Sequence, residues 1–466
     1  MSCLSFRVPF RALPLAALIL GGCAVYHAKP LPSNDSLLSQ EALQRVQIDP
    51  ATMPLPTLAA HRFDPSNGFD IDEVAMLAVV NNPDLRLARD DLHIAQAQAF
   101  SAGLLPDPQV GISSDYPGAV GLSRAFSYGL SMDVMAIVTR GANQRSADAT
   151  VRKTDLGLLW QEWQIVAQAR QLFVKTRFQD EALPLLAQQA ALTQARYMHI
   201  AHAASEHNVT GDTATAALTA SQDARKQYVD MQRAREQSRH DLNALLGLAP
   251  DVDLPLTGEA QVEPVDAGAL NAALAALPQR RPDLIALQAG YEAQEQKYRA
   301  AILNQFPSLS VGFTRQRDTS EIYTSGFAIN LTLPVFNRNR GNIAIEQATR
   351  QRLADEYQSR LNAARADIAH LQADGALASQ QLDEDEAALP ELDRAAAHAR
   401  DAYAEHDIAI GQYVDAQSAA LARRVDAATA REALAEQRIA LEALLGSVIP
   451  TPYSAASDHT QNSASR

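Results

Sequence analysis

Two hydrophobic rhythms alternate along this chain. At Leu156, Leu159, Trp160, Trp163, Val166 and Phe173, apolar side chains recur three, four and seven apart, the spacing that lines one face of an α-helix. In Phe126-Ser127-Tyr128-Gly129-Leu130-Ser131-Met132-Asp133-Val134 the rhythm changes to two: every second residue is apolar, with small or polar residues between. That is the pattern of a strand with two unlike faces. Phe327-Ala328-Ile329-Asn330-Leu331-Thr332-Leu333 repeats it, and Val110-Gly111-Ile112 and Leu309-Ser310-Val311-Gly312-Phe313 repeat it more briefly. The prediction is a mainly α protein with a small β part, its strands grouped as hairpins at about 108–135 and 308–335.

The elements recur as a set. Asn82-Pro83-Asp84-Leu85 returns as Arg281-Pro282-Asp283-Leu284, and 283 − 84 = 199. Glu206-His207-Asn208-Val209 returns as Glu405-His406-Asp407-Ile408 (406 − 207 = 199), and the Leu-Leu-Gly ending at Gly247 returns at Gly446 (446 − 247 = 199). A period this long marks a duplicated domain-sized unit and not a stacked array of short repeats. The expected organisation is a first repeat over 70–247 with a tip at about 205–212, and a second over 265–447 with a tip at about 404–411. A linker at 248–264 joins them, an extended segment spans 23–69, and a disordered tail covers 448–466.

Each repeat holds two long helical stretches. If residues 341–405 are continuously helical they measure on the order of 100 Å at 1.5 Å per residue. Pro184 and Pro390 fall inside such stretches and are expected to bend them. Helices of that length bury their apolar stripes only against long neighbours, so four of them predict an antiparallel coiled-coil packing. The period-two segments fit membrane-barrel strands, apolar toward lipid and polar toward a lumen; one segment alone would equally fit a half-buried soluble sheet. Four strands cannot close a barrel, and open strand edges are not tolerated in hydrocarbon, so several chains must contribute to one barrel as a cyclic oligomer.

Composition and charge narrow the function. Aromatic residues make up only 6% of the chain, in keeping with long helices packed through small side chains. The formal charge of −14, with no basic stripe to offset it, argues against nucleic acid as a partner. Arg7 and Arg11 precede the apolar run 12–20, too short to span a bilayer and suited to a signal-peptide core. Leu20-Gly21-Gly22-Cys23 follows. It resembles the bacterial lipobox, which implies a signal peptide at 1–22 and lipidation at Cys23, and Ala24 after the cysteine favours the outer membrane. Cleavage would remove two of the 40 basic residues, leaving 38 − 54 = −16, and would leave Cys23 as the remaining thiol. No P-loop, HExxH, Gly-x-Ser-x-Gly or dinucleotide pattern occurs; that alone excludes no enzyme, but a duplicated rod with barrel hairpins leaves no obvious cleft, so no enzyme, cofactor or metal site is expected.

Two further stretches carry a family resemblance. Ala102-Gly103-Leu104-Leu105-Pro106-Asp107-Pro108 and Leu333-Pro334-Val335-Phe336-Asn337-Arg338-Asn339-Arg340-Gly341-Asn342 resemble segments of the TolC-type outer-membrane efflux family, and of its heavy-metal, CzcC-like branch in particular. The resemblance spans essentially the whole mature chain. It implies a homotrimer with a twelve-stranded barrel in the outer membrane, a periplasmic helical tunnel, and partners in a periplasmic adaptor (membrane fusion protein) and an inner-membrane resistance-nodulation-division pump. The implied function is a passive exit duct, for heavy-metal cations or, as an alternative, for drugs and other organic compounds. The residues alone also leave open a lipid-anchored periplasmic coiled-coil scaffold without a pore.

The resemblance assigns the two interruptions to periplasmic tips that touch the adaptor: His207, Asn208 and Val209 in the first repeat, and His406, Asp407 and Ile408 in the second. His207 and His406 stand where the family usually has Gly. In Gln412-Tyr413-Val414-Asp415-Ala416-Gln417 the second acid of the family's pattern is kept as Asp415, while Gln412 replaces the first. Asp415 is therefore expected to gate the periplasmic end as a single carboxylate ring. Met198, His199 and His202 precede the first tip; imidazoles there suit either an exposed turn or a metal- or pH-responsive site.

Overall fold

The computed structural model describes residues 26–34, 36–118, 120–258 and 267–446. The expected signal peptide, Cys23, the linker positions 259–264 and the tail 448–466 lie outside the described residues. The chain divides into residues 1–37 and 38–466. In the first unit the described residues carry no helix or strand.

In the second unit the order is α1 (Gln40–Leu43), α2 (Pro56–Ala59), α3 (Ile71–Asn81), α4 (Pro83–Gly103), β1 (Gln109–Asp115), β2 (Ala125–Asp133), α5 (Val134–Ser205) and α6 (Gly211–Leu245). It continues with α7 (Ala267–Arg280), α8 (Pro282–Leu303), β3 (Ser308–Arg317), β4 (Tyr323–Thr332), α9 (Arg340–Ala404) and α10 (Ile410–Leu445). The second series repeats the first. At 72 and 65 residues, α5 and α9 run about 108 and 98 Å, and both remain helical across Pro184 and Pro390. No helix among the described residues is long and apolar enough to cross a membrane.

Small side chains let these rods approach. Ala142, Ala149, Ala169, Ala182 and Ala190 are buried along α5, and Ala420, Ala427, Ala428 and Ala435 along α10. α5 packs on α4, α6, α8 and α10, and α9 on α8 and α10. Two apolar clusters form at equivalent places in the repeats. One joins α3, the middle of α5 with Phe173, and Leu242 and Leu246 at the end of α6. The other joins Leu270 and Leu277 of α7, Leu284, Leu361, Ile368, Leu441 and Leu445.

Residues 38–69, expected as part of an extended segment, instead fold into short helices and a 3-10 turn. Leu43, Ile48, Met53, Leu55, Leu58 and Phe69 are buried in the first cluster. Leu248, Val252 and Leu254, expected as linker, are buried there too. Each of these apolar residues is isolated in sequence and finds its partners only through the fold.

The two Pro-Asp-Leu steps explain themselves as helix starts. Pro83 and Pro282 occupy the first turns of α4 and α8, where a missing N–H costs nothing. Asn82, 2% exposed, accepts from Leu85 N at 3.0 Å and donates to Leu245 O at 2.8 Å, tying α4 to the end of α6. In the second repeat Arg281 stands there instead, forked onto Asp283 at 2.7 and 3.0 Å with its guanidinium 4.6 Å from the centre of the Trp160 ring.

The four strands form one antiparallel sheet in the order β1-β2-β3-β4. β2 passes into α5 with no intervening residue, Asp133 capping the helix by accepting from Met135 N at 2.8 Å. β4 reaches α9 through the loop 333–339, where Arg338 and Asn339 are left-handed (φ 47 and 53). Asn tolerates that conformation, and its side chain donates to Ala301 O at 2.8 Å. Arg140 donates from Nε to Gly103 O at 2.7 Å, pinning the end of α4 against α5.

Asn82→Ala removes a buried cap and leaves Leu245 O without its partner. Unfolding free energy in detergent solution should fall by about 2 kcal/mol. Asn82→Asp, which keeps the capping oxygen, should lose less in the same chemical denaturation.

Candidate functional site

The sheet has two unlike faces. Val110, Ile112, Leu130, Val311, Phe313, Phe327, Ile329 and Leu331 are all exposed, and the pairing register puts them on one side: Val110 opposite Leu130, Leu130 opposite Phe313, Phe313 opposite Phe327, and Val311 opposite Ile329. The other side carries Gly111, Ser113, Ser127, Ser131, Thr314 and Asn330 along a shallow trough of about 340 Å³. A soluble sheet buries its apolar face; here the apolar face is the open one, and large exposed patches of this kind mark an interface. β1 and β4 are the two outer strands, each with an unpaired edge.

At the far end of the long helices are the two tips. α5 ends at Ser205 with His207 left-handed (φ 62), and α9 ends at Ala404 with His406 left-handed (φ 66). His207 N donates to Ala204 O at 3.0 Å and Asn208 N to Ala203 O at 2.9 Å; His406 N donates to Tyr403 O at 3.1 Å and Asp407 N to Ala402 O at 2.8 Å. Both tips are thus Schellman turns, whose left-handed position favours Gly, and each histidine bears a conformational cost of about 1 kcal/mol. His207, Asn208, His406 and Asp407 are exposed, while Val209 and Ile408 are half-buried. Beyond the turns Thr210 caps α6, accepting from Thr213 N at 3.5 Å. Gln412 Oε1 accepts from Ala409 N at 3.3 Å, so the residue that departs from the family pattern satisfies the start of α10. The Tyr403 and Tyr413 rings stack at 4.8 Å across the second hairpin.

Asp415 lies on α10 near this tip, and its carboxylate is 2.5 Å from Arg196 Nη1 on α5, with 66% of its side chain exposed. The carboxylate expected to form a single ring has a cation beside it in the same chain. The tip imidazoles form no three-ligand cluster among the described residues. The His202 imidazole lies 3.3 Å from the Glu206 carboxylate. A three-ligand cluster does occur at His61, Asp70 and Glu73, but Glu73 accepts from Asp64 N and Asp70 N at 2.7 and 2.9 Å and Asp70 accepts from Asp72 N and Glu73 N. These groups start helix α3.

A second charged region, which no motif reveals, sits between α5 and α10. An open recess of about 700 Å³ is lined by Val174, Arg177, Phe178, Leu382, Arg431 and Glu432. Burial, reinforced by Glu436 one turn away and opposed by Lys175, pushes the Glu432 carboxyl up to about 7. Burial raises Glu436 as well, against the same Lys175.

A model of the outer membrane efflux protein family matches residues 273–447. No curated protein sequence matches the chain. Among solved structures, the fold is similar to that of CusC (20% identity, 85% of this chain and 97% of that one, TM-score 0.66). It is also similar to the Campylobacter jejuni CmeC outer membrane channel (16%, 91% and 95%, 0.67) and to the open state of the Neisseria gonorrhoeae MtrE outer membrane channel (21%, 81% and 89%, 0.64).

For Glu432 the folded-state pKa lies above the unfolded value near 4.5. The folded chain then holds the extra proton, and stability from this group is lost as pH rises from about 4.5 to 7. Relative to the parent, Glu432→Gln should gain about 1–3 kcal/mol on going from pH 5 to pH 8, the range allowing for solvent that still reaches the group. Paired denaturation curves at the two pH values measure it. The second repeat thus matches the outer membrane efflux protein family over residues 273–447, and most of the chain shares the fold of these outer-membrane channels.

Proposed function

We propose that this protein is the exit duct of an efflux assembly, three copies closing one barrel of three times four strands above a periplasmic tunnel of long helices. The observation that carries the reading is the open four-stranded sheet with its apolar side uncovered, because backbone edges in hydrocarbon must be paired. A chain of this family is an outer-membrane channel and not an enzyme. The exposed tips at His207, Asn208 and Val209 and at His406, Asp407 and Ile408 would meet a periplasmic adaptor, with a resistance-nodulation-division pump behind it. Lipidation at Cys23 would add an anchor, and no nucleic acid takes part.

Purified protein reconstituted into planar bilayers should give discrete ion conductance; a protein that stays at the surface and conducts nothing would refute the duct. Asp415 is proposed to act at the periplasmic constriction as one half of a pair with Arg196. Asp415→Ala leaves the Arg196 cation behind, so the cation-to-anion permeability ratio should fall at least twofold and the resting conductance should rise. Stability should change by no more than about 0.5 kcal/mol, since the pair is exposed. If permeability and resting conductance match the parent across pH 5 to 8, the constriction lies elsewhere.

Heavy-metal cations are the proposed substrate, from the stretches at 102–108 and 333–342 and the mature charge of −16 (38 − 54). A deletion strain should lose tolerance to Zn, Co, Cd, Cu or Ag salts. Unchanged metal tolerance with new sensitivity to organic antimicrobials would assign the duct to organic compounds instead.

A further inference from the structure

The apolar face of the sheet changes character at one end. Along β3 the residues on that face are Leu309, Val311, Phe313, Arg315 and Arg317, as alternation by two requires. Arg315 lies opposite Tyr128 on β2 and Arg317 opposite Phe126, while on β4 Arg317 lies opposite Tyr323. The last two positions on this face before the β3–β4 turn are therefore arginines set among aromatic rings. Arg124, just ahead of β2, adds a third: its guanidinium sits 4.4 Å from the Tyr116 ring centre and its Nε donates to Ser114 Oγ at 2.7 Å.

None of the three arginines makes an ion pair among the described residues. Arg317 Nη2 donates to Arg124 O at 3.0 Å and its guanidinium lies 5.5 Å from the Phe126 ring centre, but its Nε is buried without a partner. Arg315 is exposed. The nearby acids are engaged elsewhere. Asp318 accepts from Ser320 N and Ile322 N at 2.8 and 2.9 Å, and Glu321 accepts from Ser123 Oγ at 2.5 Å.

A lipid-facing arginine costs about 2–4 kcal/mol at the bilayer midplane and about 0–1 near the interface. From Tyr323 to Thr332 the strand covers about 31 Å, or roughly 23 Å along the normal at the usual tilt, close to the height of a barrel's apolar band. The arginines consequently fall at the edge of that band. They lie at the end opposite the helices, hence in the outer leaflet, where lipid headgroups lie. A guanidinium fork matches phosphate oxygens two at a time, and aromatic rings are at home at this level.

We infer that Arg124, Arg315 and Arg317 form a binding surface for the phosphate groups of outer-leaflet lipid headgroups. The inference rests on the barrel reading above. Its test uses delipidated full-length protein in detergent, titrated with bisphosphorylated lipid A, with the same glycolipid stripped of phosphate, and with phosphatidylglycerol, bound lipid being counted by native mass spectrometry. At least one phosphorylated lipid should bind ten times more tightly than the stripped glycolipid, and whichever binds better identifies the source. Arg315→Gln should weaken that binding several-fold and R124Q/R315Q/R317Q tenfold or more, while Arg315→Lys should retain most of it. The Arg315 side chain makes no hydrogen bond or ion pair among the described residues, so its single variant keeps the test valid even if the triple variant folds poorly. Equal binding by parent and Arg315→Gln, or equal binding with and without phosphate, overturns the inference. Bilayer conductance separates the two readings: conductance together with lipid binding that does not depend on phosphate sinks the lipid site alone, whereas a protein that stays at the surface without conductance sinks the duct and the lipid site together.

Discussion

In hydrocarbon no water is available to hydrogen-bond a peptide group, so a strand edge left open there carries a cost at every residue. The sheet described here has such an edge on β1 and another on β4, with a belt of uncovered Val, Ile, Leu and Phe between them. Most other features of the chain follow from meeting that requirement. In the duct proposed above the edges are closed by further copies, the copies are related by rotation, and the strands are held at a constant tilt where they meet. The long helices supply the rigid frame. They are rooted in the same sheet, and their alanine-lined seams bring them close enough to act as one body.

Duplication gives this frame cheaply in sequence terms. Equivalent leucines 199 apart, Leu242 with Leu441 and Leu246 with Leu445, close equivalent clusters. The two tips are the same turn made twice, with histidine where glycine would be less strained. Where the copies differ, the chemistry changes but not the job. A neutral Asn82 cap in one repeat corresponds to an Arg281–Asp283 pair under Trp160 in the other, and both fasten the start of a helix.

Much of this was legible beforehand, for a physical reason. Strand alternation and helix periodicity are local, so Phe126 to Val134 and Leu156 to Phe173 announce their elements without help from the rest of the chain. The tips were legible because an interruption that recurs at a fixed distance cannot be accident. What escaped was non-local. Leu43, Met53 and Leu58 show no period and are core only because α3 and α5 come to them. Arg196 and Asp415 stand 219 positions apart, and Glu432 is perturbed by burial between helices from opposite repeats. Arg315 and Arg317 were within reach, since continuing the count by twos from Leu309 lands on both.

The two strand-to-helix junctions are not equivalent. β2 runs into α5 without a spare residue, whereas seven residues, two of them left-handed, separate β4 from α9. One junction is a continuous beam and the other a coupling with slack. A helical rod is thus coupled to the sheet directly through β2 and through a loop at β4. In the proposed ring of three such chains, six rods would share only three direct mounts, so the ring would be threefold and not sixfold in its stiffness.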